Sequence, residues 1–538
     1  MKCSKRPKAN PGARLFVRMQ TPGRLGLLLQ VIHPFRQIMP VFTHIPLGQR
    51  IPASIHGVSC SLPAMRDVIG YETRAPETMR HLTSGYPRFV QHPYLRQAGD
   101  HVVRTLGLSG WSLWLTSSPH AAEALRASLA PTETRVIEHN GLSGVAFPEN
   151  ADTHSRAKTF LQHTGSQLSS REAEDYLLRV GEIAAPQAET TFDGYAPGRV
   201  KSAIAQAFQH VKNDDVFLSN SGMNAVYTAF RIASALQGPR KRTVWVQLGW
   251  LYLDTIAILQ KFTRQPAHDY VFQSDVFDLA ALRRLFAERG HEIAGIITET
   301  PTNPLIQTPD LAAIYGLCRK HGAIFLVDPT VASPHNIDVL PHCDVAVNSL
   351  TKYAASDGDI IMGAVVVNPQ SPYANEFRKA LPGALEPVYT RDVGRLAAQI
   401  GDYASVIARV NQTVPAVVEF LRKHPRVKSL RWSQHPDSRE NFLRIARTPA
   451  AQASMISFKY DGALEHFYDR LCLPKGASFG MKNTLVCPFI IMAHYDLVTS
   501  ESGRAKLLAS GLEPEMIRLS LGCEPAEAII AALAEALA

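Results

Sequence analysis

Between residues 214 and 365 short runs of β-branched residues recur along the chain, separated by amphipathic stretches of ten or more residues. DVFLS, RTVWVQLG, YVFQ, IAGIITET, AIFLVDPT, CDVAVNSLTK and IIMGAVVVN are the runs, with helical stretches such as LAALRRLFAERG and LAAIYGLCRKHG between them. A strand that is apolar at nearly every position must be covered on both faces, and helical crossovers supply that cover. The spacing therefore predicts an α/β fold with a mostly parallel sheet. Ligands of such sheets sit in the loops beyond the strand carboxyl ends, which is where the unusual residues of this chain fall.

The flanks read differently. Residues 411–538 switch to a smaller α+β pattern (MISFKY, LEHFYDRL, MIRLSLG), so 211–410 is expected to form a large α/β domain and 411–538 a C-terminal one. Residues 95–210 read as a helical insertion, with AAEALRASLA and REAEDYLLRVGEIAA as its clearest helices and HNGLSGVAFPEN as loop. Residues 45–94 are rich in proline and aromatic residues and read as an extended arm with short turns. Residues 1–44 form a basic arm, expected to be disordered, with a targeting role or translation from Met39 as alternatives.

Charge and cysteine usage exclude several classes. Nine of the 56 Lys and Arg residues lie in residues 1–65, where there is no Asp or Glu, so the other 47 balance the 47 acids. That distribution is not the basic face of a nucleic-acid-binding enzyme. The apolar run GLLLQVI is far shorter than the ~20 residues of a membrane span. The seven cysteines form no C-x-x-C pair and no cluster with histidine. No metal is expected, and a reducing, cytoplasmic setting is.

The candidate site residues lie at predicted strand ends. Lys352 follows VAVNSLT, and a lysine there either carries a cofactor or substrate covalently or pairs with an acid or phosphate. Asp328 ends FLVD and needs a cationic partner or a proton to tolerate burial. A pyridinium nitrogen would serve, which makes an acid and a lysine 24 residues apart a fit for pyridoxal phosphate (PLP). Ser221, Gly222 and Met223 open a predicted helix as an anion cradle or an ordinary cap. Tyr252 and Thr255 follow another strand, as a stacking platform or as core. Glu299, Thr302 and Asn303 end the strand GIITE. Arg518 stands in an apolar strand, facing either a substrate carboxylate or a structural acid. Tyr86 and Arg88 in SGYPRF could grip a phosphate, although ordinary surface packing explains them equally without a ligand.

Taken in order, SGMNAV, ETPTNP, VDPTVASP, NSLTKY and IRLSLGCE resemble the motifs of the Cys/Met-metabolism family of PLP-dependent enzymes, over residues 214–538. The stretch from IPLGQRIP through SGYPRF resembles its long fungal-type cystathionine gamma-synthases. The resemblance implies a fold-type I transferase with a seven-stranded sheet and residue roles as follows. Lys352 would hold the cofactor aldehyde and then move protons at Cα and Cβ, and Asp328 would meet the pyridine nitrogen. Ser349, Thr351 and the amides of Gly222 and Met223 would hold the phosphate, with Ser221 and Thr330 also at the cofactor. Tyr252 would stack on the ring, Asn303 would lie near its hydroxyl, and Ser478 and Arg518 would bind the substrate carboxylate. Tyr86 and Arg88 would come from a neighbouring subunit, within a homotetramer built as a dimer of dimers. The implied activity is replacement at the γ-carbon of an activated homoserine ester by cysteine, giving cystathionine. Sulfhydrylase and γ-lyase chemistry are alternatives, and a non-catalytic scaffold is a remote one. Two departures stand out. About a hundred extra residues separate Tyr86 from Ser221, and Ser356, Asp357, Gly358 and Asp359 stand where Gly-His-Ser-Asp is usual, which bears on substrate shape.

Overall fold

The computed structural model describes residues 42–82 and 89–538. Its central feature is a seven-stranded mixed sheet. In spatial order the strands are Val216–Ser219, Gly363–Val367, Val345–Ser349, Ile324–Asp328, Ile293–Glu299, Val244–Leu248 and Tyr270–Gln273. Only Gly363–Val367 runs against the rest, pairing antiparallel with the strands on either side of it. Four parallel ladders join the other five strands from Val345 outwards. Both faces are covered, one by the cluster around Val246, Phe325 and Val366 and the other by that around Phe230, Leu326 and Val347.

Register brings the polar strand ends together. Asp328 lies opposite Glu299, Ser349 opposite Gly363, and Gly363 opposite Ser219. One edge of the sheet thus carries the acids and the loop after Ser219 as neighbours, because parallel strands finish on the same side.

The C-terminal part is a four-stranded antiparallel sheet in the order Val427–Arg431, Met455–Tyr460, Ile517–Ser520, Leu485–Cys487. The boundary expected at 411 falls inside a continuous helix, Tyr403–Lys423. Its first turns bury Tyr403, Val406 and Ile407 in the large-sheet core, and its later turns bury Val410, Val414, Val417 and Leu421 in the C-terminal core. One amphipathic helix serves both layers, so a composition change does not coincide with a break in the chain.

Two expectations need correction. Residues 95–210 are not only helical: they contain an antiparallel sheet of Trp111–Thr116, Leu142–Pro148 and Arg135–His139, in that spatial order. The supposed loop is a hairpin whose turn is Asn140-Gly141, both at positive φ (47° and 84°), the backbone that a two-residue turn of matching twist requires. The arm at 45–94 is also less extended than expected, since Met65–Glu72 is a helix whose Asp67 carboxylate accepts from the Ala64 N–H at 3.1 Å. The basic arm falls almost wholly on residues 1–41, and Tyr86 and Arg88 on 83–88, outside the described residues. Among the described residues no helix is long and apolar enough to cross a membrane, and no cluster of potential metal ligands occurs.

Candidate active site

At the carboxyl edge of the large sheet a cavity of ≈ 270 Å³ is lined by Ser221, Gly222, Met223, Tyr252, Asn303, Asp328, Thr330, Ser349, Thr351, Lys352, Ser478 and Arg518. With Thr255 and Glu299, which also line it, these are the candidate residues of the sequence reading except Thr302, which lies off the cavity wall, and Tyr86 and Arg88. Several have duties more specific than the motifs indicate.

The helix Gly222–Gln237 begins at the cavity wall. Ser221 is its N-cap, accepting from the Asn224 N–H at 3.1 Å and donating its hydroxyl to the Gly165 carbonyl at 2.9 Å. Its hydroxyl proton is thus spent on the protein, and the amides of Gly222 and Met223 remain as the anion-facing donors of an open helix end. A Cβ on Gly222 would lie 2.9 Å from the Ser349 Cβ, so the glycine is required by close approach. Thr351 also works internally: its Oγ1 donates to the Met362 carbonyl at 3.3 Å and accepts from the Met362 N–H at 3.2 Å.

Thr330 is the hub between the two central strands. Its N–H donates to Asp328 Oδ1 at 2.8 Å and its hydroxyl donates to the same oxygen. The Thr330 Oγ1 in turn accepts from Asn348 Nδ2 at 3.1 Å and from the Ser349 N–H at 2.9 Å. Both bonds to Asp328 fall on Oδ1, which leaves Oδ2 for a donor in the cavity. Burial raises the Asp328 pKa, opposed by Thr330 and by the charge of Lys352. Glu299, alongside, is raised well above the carboxylate range by burial and then by Asp328. Two carboxyls side by side in a dry site do not both ionise, and Glu299 is the one that keeps its proton. Its Oε1 accepts from the Tyr252 N–H at 2.5 Å, which fixes the start of the helix Leu253–Phe262 and sets Tyr252 at the cavity.

Lys352 is 8 % exposed, and its Nζ lies 3.2 Å from Ser478 Oγ and 4.9 Å from the centre of the Phe479 ring. Ser478 adopts φ 129°, a conformation costly for a residue with a Cβ. That geometry lets one residue meet Lys352 through its hydroxyl and Arg518 through its carbonyl, at 3.0 Å from Nη2. Arg518 is 4 % exposed; its Nη1 donates to Asn303 Oδ1 at 3.1 Å, and its guanidinium lies 4.3 Å over the Phe489 ring. The structural-acid alternative fails, since no described carboxylate pairs with Arg518. A buried guanidinium held only by neutral groups at a cavity wall is arranged for an incoming anion. Asn303, which lines the cavity, has its side-chain oxygen engaged with this arginine.

The departure at 356–359 does not shape the cavity, which none of those residues lines. Asp357 and Asp359 bind Arg395 at 2.8 Å each, and Asp359 also faces the buried Arg171 at 3.5 Å. They tie the insertion to the large domain.

Sequence reading missed part of the wall. Tyr71, Glu72, Arg74 and Phe89 line the chain's own cavity from the N-terminal segment, and Gln162 reaches it from the helix Ala151–Thr164. Gln162 Nε2 donates at 2.7 Å to Asp254, in the first turn after Tyr252. Nothing in the residue pattern marks Gln162, whereas Glu299 was visible as an acid ending an apolar strand.

The profile described as "Cys/Met metabolism PLP-dependent enzyme" matches residues 198–538. The chain is 40 % identical to an L-2-amino-4-chloropent-4-enoate dechlorinase/desaturase of Streptantibioticus cattleyicolor, over 89 % of this chain and 95 % of that protein. It is 26 % identical to a cystathionine gamma-synthase of Neurospora crassa, over 93 % of this chain and 98 % of that protein. The crystal structure of a Lactobacillus plantarum cystathionine gamma-lyase superposes with a TM-score of 0.53 at 22 % identity, covering 64 % of this chain and 86 % of that one, and so shares the fold.

The cavity fits the cofactor that this family implies. An acid with one carboxylate oxygen unused, an open helix end beside Ser349, and a buried lysine are what a pyridine nitrogen, a phosphate and an aldehyde need. When bound, PLP supplies an electron sink for negative charge developing at an amino acid's Cα. The chain belongs to the Cys/Met metabolism family of PLP-dependent enzymes.

Proposed function

We propose that this enzyme expels a leaving group from the γ-carbon of an L-α-amino acid, and that elimination is its main outcome. The observation that carries the reading is the buried Arg518, which has no acid partner among the described residues and shares Ser478 with Lys352. Arg518 would take the substrate carboxylate, bidentate where a lysine would give a single contact. Lys352 would then lie over Cα and Cβ to move protons there, within a cavity that Phe479, Phe489 and Met492 keep dry. Asp328 would hold the cofactor in its protonated form, and Glu299 would remain neutral behind Tyr252. Elimination leads because the relative with 40 % identity is named for removing chlorine from a 4-chloro amino acid, in which C4 is the γ-carbon.

The second reading is γ-replacement with cysteine to give cystathionine, favoured by the full-length similarity to a fungal cystathionine gamma-synthase. In either case a second copy of the chain would bring Tyr86 and Arg88 to the phosphate. The test is to incubate the PLP-loaded enzyme with L-2-amino-4-chloropent-4-enoate, O-acetylhomoserine or O-succinylhomoserine, each with and without cysteine, and to identify products by mass spectrometry. Release of chloride or of the acid without cysteine supports elimination. Cystathionine as the dominant product moves the assignment to replacement, and no release from any γ-substituted amino acid refutes both.

A further inference from the structure

Glu72 is an acid of the cavity wall with no part in the function proposed above. Glu72 ends the helix Met65–Glu72 and lines the cavity, and its Oε1 is buried without a hydrogen-bond partner. A buried carboxyl oxygen left unsatisfied costs stability unless a ligand or a proton completes it. Arg74, two residues on, lines the same cavity and makes no ion pair among the described residues, its guanidinium lying 5.2 Å from the centre of the Tyr71 ring.

The position of Glu72 relative to Arg518 follows from the helix Phe489–Ala493, against which Met65–Glu72 packs. Arg518 sits over Phe489 at its first residue, while Met492 and Ala493 at its last turn line the same cavity. Four residues of helix advance about 6 Å. In an amino acid held by its carboxylate at Arg518, three carbon–carbon bonds of about 1.5 Å and one further bond to the leaving atom cover a comparable distance. Glu72, on the helix packed against Phe489–Ala493, lines the same cavity as Arg518, Met492 and Ala493.

We propose that Glu72 is the acid that meets the group leaving Cγ. The inference rests on the γ-carbon chemistry proposed above. As the Cγ–X bond breaks with its electron pair on X, the Glu72 O–H donates to X. Where HX is a weak acid, as with a thiol, the O–H bond breaks with its pair on the carboxylate, HX departs, and Glu72 is reprotonated from solvent. Where HX is strong, as with hydrogen chloride, the carboxyl only hydrogen-bonds the departing anion. Arg74 beside it favours negative charge on either. Burial holds the Glu72 carboxyl up to about 7, with Asp496 adding to the rise and Arg74 opposing it, so the acid form is available near neutrality.

The experiment compares PLP-loaded wild type and Glu72→Gln, matched by their cofactor absorbance, on L-2-amino-4-chloropent-4-enoate and on L-homocysteine. The expected result is that sulfide release suffers more than chloride release by about 100-fold, the contribution of a positioned acid, with partial recovery in Glu72→Asp. Equal losses on both substrates, no loss on either, or the selective loss appearing in Tyr252→Phe instead overturn the proposal. So does a wild type that releases chloride but never sulfide. A wild type that releases neither refutes the γ-carbon reading rather than this one. As a second readout, infrared difference spectra of protein with isotope-labelled glutamate carboxyls should show a group titrating near neutrality that Glu72→Gln lacks. Glu172, also held up to about 7 by burial, should give a second such signal in both proteins, so an undiminished signal in Glu72→Gln overturns the assignment.

Discussion

Gly165→Ala should weaken cofactor binding although residue 165 touches no cofactor. Gly165 caps the helix Ala151–Thr164 at φ 67°, and its carbonyl receives the Ser221 hydroxyl at 2.9 Å while Thr164 O receives Asn224 Nδ2 at 3.1 Å. A Cβ there would lie 2.3 Å from Ser221 Oγ and 2.5 Å from the Asn224 amide nitrogen. The hydroxyl can rotate, but the amide belongs to the first turn of Gly222–Gln237, so that turn must retreat by most of an ångström. The left-handed backbone adds about 1–2 kcal/mol of strain, and overpacking about 1–3 kcal/mol. A phosphate amide contact stretched that far is no longer a hydrogen bond, and losing one to a charged group costs about 1.5–3 kcal/mol. The PLP dissociation constant should rise roughly 10- to 150-fold. Titrating apoenzyme with PLP by absorbance measures this. Gly141→Ala is the control: it too has a positive φ, 84°, on the insertion hairpin, with nothing within 4 Å of its Cβ, and should leave PLP affinity unchanged. If Gly165→Ala binds PLP within twofold of wild type, the insertion does not set the phosphate cradle and the reasoning fails.

Arg518→Lys should keep the cofactor spectrum but raise KM for any amino-acid substrate by about 10-fold or more, because one ammonium replaces a bidentate fork; an unchanged KM would remove Arg518 from carboxylate binding. Arg171→Met should lower the chemical-denaturation stability by about 3–5 kcal/mol, since Arg171 is 1 % exposed and faces Glu189 at 2.8 Å, Asp392 at 3.0 Å and Asp359 at 3.5 Å. His494 should make stability fall in mild acid. Burial lowers its pKa to about 4 from 6.5, and its Nε2 accepts from Trp250 Nε1 at 3.0 Å, which only the neutral ring can do. Between those values the unfolded chain binds the extra proton, so its contribution is whole above pH 6.5 and is lost on descending towards 4. Glu72 and Glu172, both raised to about 7 by burial, act in the opposite sense. The readout is therefore the stability of wild type relative to His494→Gln, which should drop by about 2 kcal/mol between neutral pH and pH ~5; a constant difference would contradict the assignment.

The large sheet was legible because its strands carry their own signal. Val345–Ser349 and Ile324–Asp328 are apolar up to the residue where each meets the cavity, so the burial pattern announces both the strand and the site at its end. Arg518 was legible for the opposite reason, as a charge inside IRLS that burial alone cannot explain. The hairpin at Asn140-Gly141 was also readable, since that dipeptide is a strong turn signal, but the helical periodicity on either side outweighed it. The helix Met65–Glu72 hid among prolines, and its apolar face is completed by partners from the C-terminal core rather than by its own repeat. Gln162, Gly165 and Glu72 could not be read at all. Their importance comes from proximity across the fold, which no local spacing encodes.

The central claim is that Lys352 carries the cofactor in a site completed by Asp328 and Arg518. The most direct measurement is to load the protein with PLP, reduce it with borohydride, and locate the attached pyridoxyl group by peptide mass spectrometry. The account predicts modification at Lys352 alone, abolished in Lys352→Ala. Absence of the label, or its appearance at another lysine such as the buried Lys475 while Lys352 stays unmodified, would contradict it.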